Sequence, residues 1–254
     1  MLNYQQLHSL VPSAFTTKPD PKVTNKYQYV STLDFLEQAE KVGFYPIQAR
    51  QSASPALAYA RHKITLRNPQ FSGTKEYTPE LIWINSHNRT SCAALILGIH
   101  RFFCENGLYV GINFSGFKFK HLIGNAYNMQ DHIQETLESW PRIENTINRW
   151  QETPMSLETQ ENYATIALGL KYPKDPPFDP TSLLRTRRQE DMPETLWHTY
   201  NKVQENLLKG WQKWNRPRGI SRRIKNSPVK SIDKEKSINE KLWDLTLNFQ
   251  GIAH

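Results

Sequence analysis

The chain has 254 residues, 38% hydrophobic and 22% charged, enough for one large domain or two small ones with a buried core and too apolar for disorder. Its net charge of +8 is uneven: residues 209–241 hold 11 Lys/Arg against 3 Asp/Glu, and the remainder balances at 21 of each sign. No apolar run approaches the ~20 residues of a membrane span, residues 1–15 lack the pattern of a secretory signal, and the two cysteines, Cys92 and Cys104, are too few for a disulfide framework or a zinc site.

Residues 1–30 carry Pro12, Pro19 and Pro21 without a clear period and are predicted as an extended lead-in. Ser31-Thr32 is predicted to cap a helix, with Asp34 in its first turn, Leu33, Leu36, Ala39 and Val42 as its apolar stripe and Gly43 as its stop. A strand follows at 44–53 and a clearer one at 57–67, where Ala58, Ala60, His62, Ile64 and Leu66 alternate with Tyr59, Arg61, Lys63, Thr65 and Arg67. Asn68-Pro69, Gly73 and Pro79 mark a loop over 68–79. Residues 81–85 and 92–103 read as a hairpin around the turn SHNRTS, and Asn106-Gly107 turns the chain into a short strand at 108–113.

From about residue 128 the period becomes helical. Met129, Ile133 and Leu137 make one stripe, and Ile143, Ile147 and Trp150 make a second after Pro141. Residues 156–170 are predicted as a further helix and the proline-rich 171–180 as an extended connector. The strongest helix carries Leu196, Tyr200, Val203, Leu207 and Trp211, with Glu190, Asp191, Pro193 and Glu194 at its start and Gly210 near its end. Residues 212–237, basic and poor in large apolar groups, read as mobile, ahead of a short helix at 239–249 with Leu242, Leu245 and Phe249 on one face.

Strands first and helices after argue for an α+β fold, an antiparallel sheet in the N-terminal half packed against helices from the C-terminal half. The expected organisation is a single α+β domain over 1–211, strand-rich at 44–120 and helical at 128–211, followed by a basic tail with a short terminal helix over 212–254. A βαβ nucleotide fold is disfavoured, because no GxGxxG follows a strand and no GxxxxGK[ST] occurs.

HExxH, GxSxG, CxxC and close acid pairs with metal-ligand spacing are missing from the sequence, so no catalytic residue, metal or cofactor is expected. The cysteines read as free thiols packed as small apolar groups, and the setting as cytoplasmic. An enzyme would have to be built on His62, His87, His100 or His121. His87 lies in a turn with Asn85, Ser86, Thr90 and Ser91, where such side chains more often close the turn by Asx and Ser/Thr hydrogen bonds.

A binding reading starts from Tyr59, Arg61, Lys63 and Arg67 on one strand face. At a rise of ~3.3 Å per residue they stand ~7 Å apart, which roughly matches successive phosphates of an extended single strand, and a tyrosine can stack on a base. The plain alternative is a solvated outer sheet face. Phe117-Lys118-Phe119-Lys120-His121 alternates aromatic and basic groups. Arg216, Arg218, Arg222, Arg223 and Lys225 stand beside Trp211 and Trp214, a pattern suited to a polyanion.

Several separated blocks carry a family resemblance. They are Val11-Pro12-Ser13-Ala14-Phe15; Gly43-Phe44 with Pro46 and Gln51-Ser52; His62 with Arg67; Asn85-Ser86-His87, Thr90-Ser91, Arg101-Phe102 and Cys104-x-Asn106-Gly107-Leu108; and Leu184-x-x-Arg187-Arg188-x-x-Asp191, Leu196-Trp197 and Asn201-x-Val203-Gln204-Glu205-Asn206. Together they resemble the phage/plasmid-like protein family of mobile elements, named for a domain of unknown function. The resemblance implies a mobile-element protein in a bacterial host cell and supplies no mechanism. In that family the turn runs Asn-Ser-His-Asp-Gly-Thr-Ser, whereas Asn88 and Arg89 stand in place of the Asp and Gly here. Asn88 tolerates positive φ, so the turn is expected to survive. The missing acid weakens a metal role, and Arg89 adds charge suited to a polyanion.

The resulting expectation is a non-enzymatic protein that binds single-stranded DNA and promotes strand annealing without a cofactor. Its sheet-plus-helix outline resembles single-strand annealing recombinases, an analogy of fold outline alone. The binding residues would be Tyr59, Arg61, Lys63, Arg67, Arg89, Lys118 and Lys120, with Arg216, Arg218, Arg222, Arg223 and Lys225 of the tail. Assembly into a homo-oligomer is compatible with this role, and no membrane contact is expected. The rival is an interaction protein that inhibits or redirects a host defence factor. A metal-dependent nuclease-like enzyme built on His87 is the least favoured reading.

Overall fold

The structure, a computed structural model, describes residues 1–54, 56–71, 74, 76–102, 108–110, 116–121, 128–215 and 222–251. Five of the described α-helices open where a short polar side chain takes an orphan backbone N–H. Asn3 starts α1 (Tyr4–Leu10) in a capping box with Gln6, Ser31 starts α2 (Thr32–Lys41), and Asn128 starts α3 (Met129–Glu138). Next comes α4 (Trp140–Glu152), with Pro141 in its first turn, where no N–H is needed. Ser156 caps α5 (Leu157–Lys171), α6 spans Leu196–Leu208, and Ser231 caps α7 (Ile232–Gln250).

The strands are β1 (Tyr45–Gln51), β2 (His62–Arg67), β3 (Tyr77–Asn85), β4 (Ala93–Arg101), β5 (Leu108–Tyr109) and β6 (Gly116–Phe119). They form one antiparallel sheet in the order β1-β2-β3-β4. The far edge of β4 is shared by β5, with Gly98 opposite Tyr109, and β6, with Leu95 opposite Phe117. A separate two-stranded ribbon pairs β7 (Trp211–Asn215) with β8 (Arg222–Asn226). The class is α+β as expected, with the sheet in the N-terminal half and helices in the C-terminal half.

The chain forms two compact units, Met1–Trp140 and Pro141–His254. In the first, period-two alternation sorts the sheet into two faces. Ile64, Trp83 and Leu95 share one register row and are fully buried. Phe35 of α2 stacks on Trp83 at 4.3 Å, and His132 of α3 lies 4.4 Å from Phe117. That face is therefore covered by one helix from the strand-rich part and one from the helical part. In the second unit Trp150 of α4 meets Trp243 of α7 at 4.6 Å, and Tyr163 of α5 hydrogen-bonds Thr246 of α7 at 2.8 Å.

Several expectations change. The lead-in is not wholly extended: it holds α1 and a 3₁₀ turn at Pro12–Phe15. In α2 the buried positions include Phe35, while Leu33 is only half-buried. Residues Leu57–Tyr59 are a 3₁₀ turn, so Tyr59 and Arg61 lie outside the strand that starts at His62. The loop after β2 is shorter than predicted because β3 begins at Tyr77, and β5 has two residues. Glu190 and Asp191 sit in a separate 3₁₀ turn before α6, and Trp211 opens β7. The segment read as a mobile tail contributes the β7–β8 ribbon and a 19-residue helix to the second unit. Cys92 is exposed, not packed as an apolar group, and Cys104 lies outside the described residues.

Candidate nucleic-acid interface

The β7–β8 ribbon grows out of the C-terminal end of α6, where the last carbonyls lack helical partners. Asn226 meets them. Its Nδ2 donates to the carbonyls of Asn206 at 2.6 Å, Leu207 at 3.3 Å and Lys209 at 3.2 Å. Lys171 Nζ donates to the Leu207 carbonyl at 2.8 Å and to Asn226 Oδ1 at 2.6 Å, placing a cation at the negative end of the helix. Burial, with Lys234 adding repulsion, pulls the Lys171 ammonium down to about 8. A Cβ on Gly210 would lie 2.6 Å from Pro228 Cδ, so only glycine lets the two ends of the ribbon pass this close.

The preceding turns are tied to the same helix. Asn206 Nδ2 donates to the carbonyls of Leu183 at 2.9 Å and Arg185 at 2.8 Å, and its Oδ1 accepts from Arg187 Nε at 2.8 Å. Arg188 grips both oxygens of Glu205, with one contact at 2.7 Å. Burial pushes the Glu205 carboxyl up, but the bonds from Arg188 and Lys209 outweigh it, so its pKa lies below the usual range. Arg187, Arg188, Glu205 and Asn206 thus form a scaffold for the ribbon base.

Trp211 stands half-buried on that base, its Nε1 donating to the Asn206 carbonyl at 3.0 Å and its ring 4.6 Å from Phe178. It lines two small hollows, one of about 120 Å³ with Arg185 and Arg187, the other of about 430 Å³ with Gln212 and Lys225. Lys213 stands opposite Ile224, Trp214 opposite Arg223, Asn215 opposite Arg222 and Gln212 opposite Lys225. Arg222, Arg223 and Lys225 are therefore on an ordered ribbon, while Arg216 and Arg218 lie outside the described residues.

The sheet does not offer the exposed basic face expected of it. Ile64 and Leu66 are fully buried, and Lys63, Thr65 and Arg67 alternate with them, but Lys63 is only 6% exposed and Thr65 4%. Lys63 Nζ donates to Tyr109 Oη at 2.8 Å. Arg67 donates to Glu80 Oε1 through Nε at 3.1 Å and Nη2 at 2.6 Å. Arg61 is drawn to the hairpin turn, where it bonds Ser91 Oγ and, at 3.3 Å, the Cys92 carbonyl. Tyr59 is half-buried in its 3₁₀ turn, and its carbonyl accepts from His87 N at 3.3 Å. Lys118 and Lys120 are exposed, as is Arg89, at the tip of the β3–β4 turn. The basic and aromatic positions of the first unit therefore do not make one surface: internal hydrogen bonds engage Arg61, Lys63 and Arg67. Glu80 and Tyr109, which pair with Arg67 and Lys63 from other strands, carry no local sequence signal.

His62 and His87 are buried in the first unit. Thr32 Oγ1 accepts from Trp83 Nε1 at 3.1 Å and Asn85 Nδ2 at 3.2 Å, so its own proton points to His62 Nε2 at 2.9 Å. His62 is then protonated at Nδ1, 2.7 Å from Ser13 Oγ. His87 is fully buried, 4.9 Å from the Tyr29 ring and 5.6 Å from His62, and neither of its ring nitrogens makes a hydrogen bond of ordinary geometry. Burial, aided by the neighbouring His121, holds it down to about 4, and burial with His87 beside it holds His62 down to about 3. Among the described residues no three His, Cys, Asp or Glu side chains are grouped to hold a metal ion. The turn itself closes through Asn88 Oδ1, which accepts from Thr90 Oγ1 at 2.6 Å and Thr90 N at 3.2 Å, and the positive φ of 58° falls on Arg89, not Asn88.

A family model described as "Domain of unknown function (DUF932)" matches residues 21–243. The chain belongs to the DUF932 family. Two relatives in Escherichia coli (strain K12), "UPF0380 protein YfjQ" and "UPF0380 protein YafZ", are each 28% identical to it over 247 residues, covering 95% of this chain and 89% of the relative. No solved structure matches the chain. The DUF932 match takes in both the sheet and the β7–β8 ribbon. The blocks that carry the sequence resemblance include the Arg187–Asn206 and Arg188–Glu205 pairs and the His62–Ser13 contact.

Proposed function

We propose that this DUF932 protein binds nucleic acid, single-stranded DNA foremost, through the β7–β8 ribbon and the surface around Trp211. The carrying observation is the charge. Residues 209–232 hold eight Lys/Arg and no Asp or Glu, and this segment includes the ribbon. Such a cluster gains affinity for phosphates by releasing their counterions. Trp211 adds a half-exposed ring between Arg187 and Lys225, and a base stacked on an aromatic ring contributes ~1–3 kcal/mol. Only an unpaired strand can turn its bases to that ring, which favours single strands. The mobile-element setting implied by the sequence resemblance fits a DNA-handling role. Strand annealing, if it accompanies binding, rests on the ribbon alone, because Lys63 and Arg67 line a recess of the sheet and form no open face along which a strand could lie.

A gel shift with single- and double-stranded DNA, run at several salt concentrations with and without Mg²⁺, tests the reading. Salt-sensitive shifting without cleavage, stronger for the single strand and abolished in the Arg222→Glu/Arg223→Glu variant, is expected. Absence of a shift would instead favour a protein partner, and metal-dependent cleavage would require a nuclease.

A further inference from the structure

The face of the sheet turned away from α2 and α3 holds a pocket of about 360 Å³, within the size range of small-molecule sites, which start at ~300 Å³. Four strands and the short β5 bring polar groups to its wall: Gln48 from β1, Lys63, Thr65 and Arg67 from β2, Glu80 from β3, His100 from β4 and Tyr109 from β5. Gly98 keeps the centre of this face tight, since a Cβ there would lie 2.7 Å from Ile82 Cδ1.

We propose that this pocket binds a small phosphate monoester of about mononucleotide size, with its phosphoryl oxygens facing Lys63, Thr65 and Gln48. Donors reach the pocket from several strands, which suits the three oxygens of a tetrahedral group better than the two coplanar oxygens of a carboxylate. Lys63 stands opposite Arg50 in the β1–β2 register, and an anion on Lys63 offsets the repulsion between the two cations. Both Arg67 bonds fall on Oε1 of Glu80, which leaves Oε2 for a hydroxyl on the body of the ester. The volume exceeds the need of inorganic phosphate and leaves room for the body of an ester.

Binding carries a proton signature. Burial first, and Arg50 second, hold Lys63 down to about 7, with Glu80 opposing. The other titratable groups on the wall are Arg67, His100, held down to about 4 by burial and by Arg67, and Tyr109. A dianionic phosphate, whose second pKa is ~6, raises Lys63, so the complex takes up a proton at neutral and slightly alkaline pH.

The test is titration calorimetry of the full chain with 5′-AMP and with inorganic phosphate, in two buffers of different ionisation enthalpy. Saturable 5′-AMP binding with proton uptake, and weaker binding of inorganic phosphate, are expected. Gln48 is exposed, so Gln48→Glu keeps the fold and should weaken 5′-AMP by at least about tenfold through like-charge repulsion. Lys63→Met should remove the proton uptake, and Arg222→Glu/Arg223→Glu should leave 5′-AMP binding unchanged. The site is overturned by no saturable heat at millimolar ligand, by unchanged affinity in Gln48→Glu, or by loss of binding in the ribbon variant. Because the ribbon variant is the one that tests DNA binding, the two readings fail separately.

Discussion

Arg89 occupies the left-handed region at φ 58°, at the position where the resembled family carries glycine. A non-glycine residue pays ~1–2 kcal/mol there, whereas glycine costs roughly 0.5–1 kcal/mol in added freedom of the unfolded chain. Relief outweighs entropy, so Arg89→Gly should stabilise by roughly 0.5 kcal/mol, read as a higher urea midpoint. The Asn88–Arg89 substitution was legible, but not which of the two residues bends: Asn88 Oδ1 is committed to Thr90, and the next residue takes the positive φ.

His62 and His87 set an acid limit. Both have folded pKa values, about 3 and about 4, below the ordinary 6.5, so the unfolded chain binds protons first as pH falls. Their contribution is intact above about 6.5 and is lost as pH drops to about 4 for His87 and about 3 for His62, with His87 accounting for ~3 kcal/mol. Urea midpoints across this window should fall steeply, and His87→Phe, which keeps a ring against Tyr29, should flatten the fall. His87→Ala should cost about 2–4 kcal/mol through the cavity it leaves, with DNA affinity per folded molecule unchanged. A stable His87→Ala protein that no longer binds would show a functional role for the ring.

Element by element, the helices with clean caps and stripes were legible. Ser31, Asn128 and Ser156 mark starts, and Ile143, Ile147 and Trp150 are buried as read. Three prolines hid α1, although Asn3 and Gln6 spell its capping box. The ribbon was not legible, because its stability comes from distant partners. Asn226 bonds carbonyls from residues 206, 207 and 209, and Lys171 reaches it from α5. Asn226→Ala strands these groups and should cost about 2–3 kcal/mol, with hydrogen exchange speeding at 211–215 and 222–226 more than in α5. Gly210→Ala should do the same through its clash with Pro228.

At the level of the whole molecule, charge location was legible and its presentation was not. The excess of basic residues after 209 is plain in the sequence, yet the segment is not a loose tail: β7, β8 and α7 belong to the second unit. On the sheet, alternation correctly put Lys63 and Arg67 on the face opposite Ile64 and Leu66, but their engagement depends on Tyr109 and Glu80, which pair with them only in three dimensions.

The most direct measurement is the salt dependence of single-stranded DNA affinity for the parent chain and for Arg222→Ala/Arg223→Ala/Lys225→Ala. Removing one phosphate-bound cation lowers the log–log slope by ~0.7, so removing three should flatten it by ~2 while folding, followed by circular dichroism, is retained. A folded triple variant with the parental slope and affinity would contradict the assignment of the ribbon as the nucleic-acid interface.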